Sequence, residues 1–255
     1  MIRLGAVGDL HFGTDMPGRL RPHLEAAGLD LLLLAGDLTR RGELAEALLL
    51  ADELRGLRLP IVAVLGNHDY HRDAQEEVAA ILEGAGVRVL EGDHAMVAVR
   101  DEVIGVAGVK GFGGGFAGAC VTEFGEPEVK AFAVAARNAA DALARSLAAL
   151  TCDLRIALMH YSPVEATLVG EHPGLWPLLG SYLLAEAVDA GGADLAVHGH
   201  AHSGSADVAR TPGGVPVHNV SQPLIRQPFT VIEVTTQGEG ARHWDSISTT
   251  SLPRS

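Results

Sequence analysis

The chain has very little cysteine, very little lysine and few aromatic residues. Its 255 residues include two cysteines (Cys120, Cys152), two lysines (Lys110, Lys130) and 4% Phe, Trp and Tyr. Two cysteines in neither a CxxC nor a zinc-ribbon spacing exclude a disulfide scaffold, and they read as thiols in a reducing compartment. Long apolar runs are also missing. Leu31–Ala35 and Ile61–Leu65 are each five residues, against the roughly 20 that a spanning helix needs. The N-terminal MIRLGAVGDLH lacks a basic segment followed by a long apolar stretch and a small-residue cleavage site, so it reads as a first strand. The expected location is cytoplasmic, with no membrane association. Positive charge is scarce: 19 Lys and Arg against 32 Asp and Glu leave a net −13. That excludes a broad nucleic-acid face, and no stable nucleic-acid complex is expected. An anionic substrate must therefore be drawn in by a local positive centre.

What is present is 47% hydrophobic residue and twelve histidines. The apolar content excludes disorder. With no internal repeat or low-complexity linker, residues 1–245 read as one domain and 246–255 as a frayed tail. Strands are expected at 2–7, 30–35, 61–65, 87–90, 96–99, 103–109, 154–159, 194–197, 215–220 and 229–234. Helices are expected near 19–28, 43–56, 73–85, 127–149 and 181–191. The clearest is 127–149, where Val129, Phe132, Ala136, Ala140, Leu143 and Leu147 recur at three- and four-residue spacing behind Pro127. The early β-α-β-α-β rhythm implies a parallel sheet with right-handed crossovers. The cluster at 87–109 and the strands after 215 imply antiparallel additions or a second sheet. Segments 110–126 and 162–180 are too long for ordinary connectors and are candidate active-site loops, the second also a candidate homo-oligomer contact.

Five apolar strands each end in metal-binding chemistry. The first runs into Asp9 and His11, the second into Asp37, the third into Asn67, His68 and Asp69. The strand near 154–159 runs into His160, and the one near 194–197 into His198, His200 and His202. In an open α/β sheet those ends converge on one crevice. Imidazole with carboxylate suits Zn, Mn, Fe, Ni or Co, and the donors are too many for one tetrahedral ion and about enough for two. Glycines precede Asp9, Asp37, Asn67 and His200, where they permit sharp turns and close backbone approach. A lone histidine or Gly-Asp pair is usually structural; so many polar groups buried at one point are costly unless something compensates them.

Asp9-x-His11, Gly36-Asp37, Gly66-Asn67-His68-Asp69, His160 and Gly199-His200-x-His202 resemble, in order, the five blocks of the calcineurin-like metallophosphoesterase family. The resemblance implies an α/β fold, a four-layer αββα sandwich of two mixed sheets flanked by helices. It implies two divalent or trivalent transition-metal ions, Mn, Fe or Zn foremost. One would be held by Asp9, His11, Asp37 and His202, the second by Asp37, Asn67, His160 and His200, with Asp37 bridging. His68 matches the family's non-ligand histidine beside the phosphate. Two divalent ions set against Asp9, Asp37 and a bridging hydroxide leave about +1 at the mouth, the local attractor that an acidic chain needs.

The implied reaction is hydrolysis of a small phosphoester by a metal-bridging hydroxide. A phosphodiester is favoured, from His68 as leaving-group acid, from the compact size and from similarity to small bacterial phosphodiesterases. A phosphomonoesterase, a protein phosphatase or a non-catalytic scaffold of the same fold are the alternatives. No GxSxG nucleophile motif is present, and the run 111–116 matches neither a dinucleotide nor a P-loop fingerprint. Asp69 is expected either to orient His68 or another imidazole, or to cap the 73–85 helix. Arg40 is a candidate phosphate clamp or a solvated side chain. Alternation turns His198 to the same side as His200, and only the family pattern excludes it as a ligand. His71 is a candidate pocket residue, while His23, His94, His218 and His243 read as surface or structural. Phe112, Phe116, Tyr161 and Trp176 form either a stacking wall or loop anchors.

Overall fold

A computed structural model describes residues 1–13, 18–234 and 249–250. Strand β1 (Ile2–Val7) leads into α1 (Arg21–Ala26), β2 (Leu31–Ala35), α2 (Leu44–Leu54), β3 (Ile61–Val64), α3 (Gln75–Glu83) and β4 (Val87–Leu90). Then follow β5 (Asp93–Val99), β6 (Glu102–Val109), the small pair β7 (Gly115–Phe116) and β8 (Ala119–Cys120), and the long helix α4 (Pro127–Ala148). Next are β9 (Leu154–Met159), α5 (Trp176–Leu179), α6 (Tyr182–Ala190), β10 (Leu195–His198), β11 (Ala209–Arg210) and β12 (Pro216–Asn219). Helix α7 (Gln222–Ile225), β13 (Thr230–Val234) and β14 (Thr249–Thr250) complete the described chain. The tail expected from 246 onward lies outside the described residues except for β14, which pairs with β13.

Two mixed sheets stack face to face, in the orders β14-β13-β1-β2-β3-β4 and β11-β12-β10-β9-β6-β5. Strands β1 to β4 are parallel, and so are β12, β10, β9 and β6; β13, β5 and β11 join antiparallel. Strands buried on both faces must be apolar at every position, and β2, reading LLLLA, is buried throughout. Leu31 and Leu33 face the second sheet, with Leu4, Val62, Ile156 and Val197. Leu32 and Leu34 face α2 and α3, whose Leu50, Leu54, Val78 and Leu82 cover that side. On the far side, Leu143 and Leu147 of α4 and Leu184 and Val188 of α6 cover Ala157, Met159 and Ala196. The result is the expected helix–sheet–sheet–helix sandwich.

The structure adds β7, β8, β11, α5 and α7, each two to four residues and too short to leave a periodic trace. Among the described residues, no helix is long and apolar enough to cross a membrane.

His218 on β12 proves structural. It is 3% exposed, and its Nε2 has no hydrogen-bond partner among the described residues. Burial pushes its pKa down to about 4. The folded protein thus holds the ring neutral where the unfolded chain takes up a proton. Stability from this residue is complete above the ordinary histidine pKa of about 6.5 and is lost as the pH falls toward 4, by about 3 kcal/mol. Urea unfolding of the wild type and His218→Leu at pH 7, 5.5 and 4 should show the wild type losing that much more than the variant. Parallel pH profiles would contradict this account.

Candidate metal centre

Every sequence-predicted metal ligand lies at one end of the sandwich, just beyond β1, β2, β3, β9 and β10. Main-chain bonds lock the first two loops together, from Asp9 N to Gly36 O (2.9 Å) and from His11 N to Asp37 O (3.0 Å). Asp9, His11, Asp37 and His200 all have left-handed backbones, with φ of 56°, 43°, 50° and 69°. At non-glycine residues this costs about 1–3 kcal/mol each, and such strain clusters at functional sites. The glycines before Asp37 and Asn67 are sterically required. A Cβ on Gly66 would lie 2.1 Å from Asp37 Oδ1, and one on Gly36 2.6 Å from the His160 ring.

One group comprises Asp9, His11 and His202. His202 Nε2 lies 2.9 Å from Asp9 Oδ1 and 3.4 Å from His11 Nε2, while Asp9 Oδ2 accepts the His200 N–H at 2.8 Å. A second group comprises Asp37, His160 and His200, and a third His11, Asp37 and His68. In each group, one candidate ligand atom per residue lies within 4.8 Å of the others. Asn67 joins the second group through Oδ1, 3.1 Å from His160 Nε2.

Neighbouring carbonyls fix the imidazole tautomers. His160 Nδ1 donates to Ala35 O at 2.9 Å, and His68 Nδ1 donates to Arg40 O at 2.7 Å. This is the usual device that points the other ring nitrogen at a metal or substrate. His160 Nε2 then faces two acceptors, Asn67 Oδ1 and, at 3.3 Å, Asp37 Oδ1. Such a position needs a proton or a cation. Burial alone would lower the pKa of His160, but Asp37, together with Asp9 and the Ala35 carbonyl, outweighs it and raises the pKa to about 9. Burial alone would raise Asp9 and Asp37, but His202 and His160 act on Asp9, and His160 with the His68 N–H on Asp37, to bring both down. The cluster therefore favours positive charge at its centre, and its nitrogen and oxygen donors fit a transition-metal ion.

Two expectations are corrected. Asp69 neither orients an imidazole nor caps α3, whose N-cap is Ala74. Its fully buried carboxylate accepts the N–H groups of Leu38 (3.1 Å), Thr39 (2.8 Å) and Gly66 (2.8 Å) and the Thr39 hydroxyl (2.6 Å). Because β2 and β3 are neighbours in the sheet, a short side chain can reach both strand ends, and Asp69 ties the Asp37 loop to the Asn67 loop. Nor does strand alternation carry from His198 to His200, because the left-handed His200 breaks it. His198 is wholly buried, with Nδ1 donating to Gly199 O (2.7 Å) and Nε2 accepting from Thr167 Oγ1 (2.9 Å), so neither nitrogen is left for a metal.

Arg40 is exposed, and its carbonyl is what anchors His68. His71 is exposed on the loop after β3. Phe116 is a loop anchor, packed with Leu168, Ala201, Trp176 and Leu179. Tyr161 instead lies against His200, ring centroids 4.3 Å apart, and Phe112 against Tyr161 at 6.0 Å. Sequence reasoning missed Thr39 and Thr167, since no spacing rule marks a buried hydroxyl that braces a ligand loop.

A family model for the calcineurin-like phosphoesterases matches residues 2–204. The chain belongs to this family. Membership makes it a metal-dependent phosphoester hydrolase by family, and the matched span contains every donor described above. No curated protein in the comparison matches the chain. Solved structures with the same fold include phosphopantetheinyl hydrolase from Mycobacterium tuberculosis, at 18% identity and a TM-score of 0.62, covering 86% of this chain and 88% of that one. Another is TT1561 of Thermus thermophilus, at 17% identity and 0.57, covering 91% and 93%. A putative 5'-nucleotidase from Staphylococcus aureus is similar at 17% identity and 0.54, covering 92% of this chain and 51% of that one. At these identities the likeness concerns the calcineurin-like fold.

Proposed function

We propose that the chain hydrolyses phosphate esters with two transition-metal ions, Mn, Fe or Zn, and that phosphodiesters are its favoured substrates. One ion would be held by Asp9, His11, Asp37 and His202, the other by Asp37, Asn67, His160 and His200. The observation that carries this reading is Asp37, whose Oδ1 faces His160 and whose Oδ2 faces His11 at 4.0 Å, so that one carboxylate stands between the His160–His200 group and the His11 of the Asp9–His11–His202 group. When bound, such ions supply an activated water as nucleophile and positive charge against the developing phosphoryl charge. The protein's own groups do the rest. His68, its Nδ1–H tied to Arg40 O, keeps Nε2 toward the cleft, 3.9 Å from Asp37 Oδ2; as an imidazolium it gives the leaving alkoxide its Nε2 proton and is left as the neutral ring, still held through Nδ1–H. Asp69 holds the Asp37 and Asn67 loops in register, and Thr167 with His198 braces the loop that bears His200 and His202.

The test is metal content and turnover on the whole chain. Two ions per chain are expected. Bis(4-nitrophenyl) phosphate should be hydrolysed faster than 4-nitrophenyl phosphate. Chelation should lower both rates at least a hundredfold, with Mn²⁺ restoring them. Undiminished turnover after complete metal removal would refute the metal reading. A faster monoester rate would move the assignment to a phosphomonoesterase.

A further inference from the structure

Lys110, one of two lysines in the chain, directly follows β6. Its carbonyl accepts the N–H groups of both His160 and Tyr161, at 3.0 and 3.2 Å. Its ammonium stands over three rings: Tyr70 at 5.0 Å, Phe112 at 5.0 Å and Tyr161 at 5.4 Å from Nζ to centroid. These rings come from the loops after β3, β6 and β9, two of which also deliver Asn67, His68 and His160. The same Tyr161 ring also packs on His200, centroids 4.3 Å apart. The Tyr70 hydroxyl donates to Glu91 Oε2 at 3.4 Å, and the same oxygen accepts the Lys110 backbone N–H at 3.2 Å. Glu91 thus steadies the cage without forming a close ion pair with the ammonium.

An ammonium has three N–H donors. Among the described residues this one reaches a single acceptor, Gly111 O, at 3.3 Å. An added anion would satisfy the remaining donors. Aromatic faces hold a cation by their quadrupoles without consuming its N–H groups. An acidic chain has thus placed a rare cation in an aromatic cage, one ring away from His200, with donors to spare.

We propose that Lys110 is a specificity-determining residue that binds an unesterified phosphate oxygen of the substrate beside Asn67, His160 and His200. This rests on the phosphoester reading above. A monoester dianion concentrates more charge on those oxygens than a diester does, so it should depend on Lys110 more strongly.

The experiment uses the metal-loaded whole chain and three variants: Lys110→Met, which keeps the apolar stem, Lys110→Arg, and Lys130→Met as a control on the exposed face of α4. Inorganic phosphate is titrated calorimetrically, and KM and kcat are measured on 4-nitrophenyl phosphate and bis(4-nitrophenyl) phosphate. Lys110→Met should weaken phosphate binding and raise KM about tenfold, more for the monoester, with kcat, metal content and melting temperature little changed. Lys110→Arg should retain part of the phosphate affinity, and Lys130→Met all of it. Phosphate affinity within twofold of wild type in Lys110→Met overturns the proposal, and so does loss of metal in that variant. A wild type that binds phosphate through Lys110 yet turns over neither ester would sustain this inference while defeating the hydrolase reading.

Discussion

Replacing Asp37 with Asn is expected to lower kcat/KM by about a thousandfold or more, because several kcal/mol of metal-derived stabilisation depend on this one carboxylate. The substitution is nearly isosteric and retains an oxygen for the His68 N–H, which now donates to Asp37 Oδ1 at 2.8 Å. Asp37 is 1% exposed and already sits in a left-handed backbone, a conformation that Asn tolerates better than most residues. The fold should therefore survive. What is lost is charge at the junction of the two donor groups. The metal-free proteins should melt at similar temperatures, and added Mn²⁺ should raise the melting temperature of the wild type alone, since a ligand stabilises a protein only as far as it binds the folded state. Metal analysis of the purified variant should find the site depleted. Full metal content with unchanged hydrolysis in Asp37→Asn would remove Asp37 from the centre of the scheme.

The gathering of these histidines and carboxylates was legible in the sequence for a physical reason. A strand buried on both faces leaves no room for polarity along its length, so the first polar residues after Leu31–Ala35 or Ile61–Val64 mark the strand's end. In parallel strands those ends share one edge. Glycine before Asp37 and Asn67 was a second signal, and the structure shows its cause in the missing space beside His160 and Asp37. The four-layer arrangement was implied by the family resemblance, and in the structure Leu31 and Leu33 face one layer and Leu32 and Leu34 another. The antiparallel hairpin at 87–109 turned out to be the point where the chain leaves the first sheet and starts the second, with β4 on one and β5 on the other. The sequence pattern left that choice open.

Asp69 and His198 were harder to place because their roles depend on contacts between distant segments. Asp69 follows His68 directly, which suggests a partnership with it. Yet its four hydrogen bonds go to residues 38, 39 and 66, and only the pairing of β2 with β3 brings those N–H groups within reach. His198 lies two residues before His200, and period-two reasoning makes the two equivalent. A backbone φ of 69° at His200 ends that equivalence, and no residue pattern announces it. Lys110 shows a third kind of difficulty. Its scarcity was visible, but a lysine after a strand is ordinarily solvated, and the cage of Tyr70, Phe112 and Tyr161 forms only when three loops meet.

His68→Ala is expected to lower turnover by about 10²–10⁴ while leaving metal content intact, the range for loss of a positioned general acid. The size should depend on the leaving group. A nitrophenolate departs as a stable anion and needs little protonation, whereas an alkoxide cannot leave without a proton. Comparing wild type and variant on a 4-nitrophenyl and an alkyl phosphodiester should thus give a loss about a hundredfold greater for the alkyl ester. The geometry suits this role. The ring is anchored through Nδ1 and stands edge-on to His11 at 4.5 Å between centroids. Its side chain is 44% exposed, open to the face where a leaving group would sit. An equal loss on both esters would mean that His68 holds the phosphoryl group and donates no proton to the leaving group. Loss of metal together with activity would make it a ligand, which its place near His11 and Asp37 also permits geometrically. The leaving-group comparison and the metal analysis together therefore separate proton donor, phosphate contact and ligand.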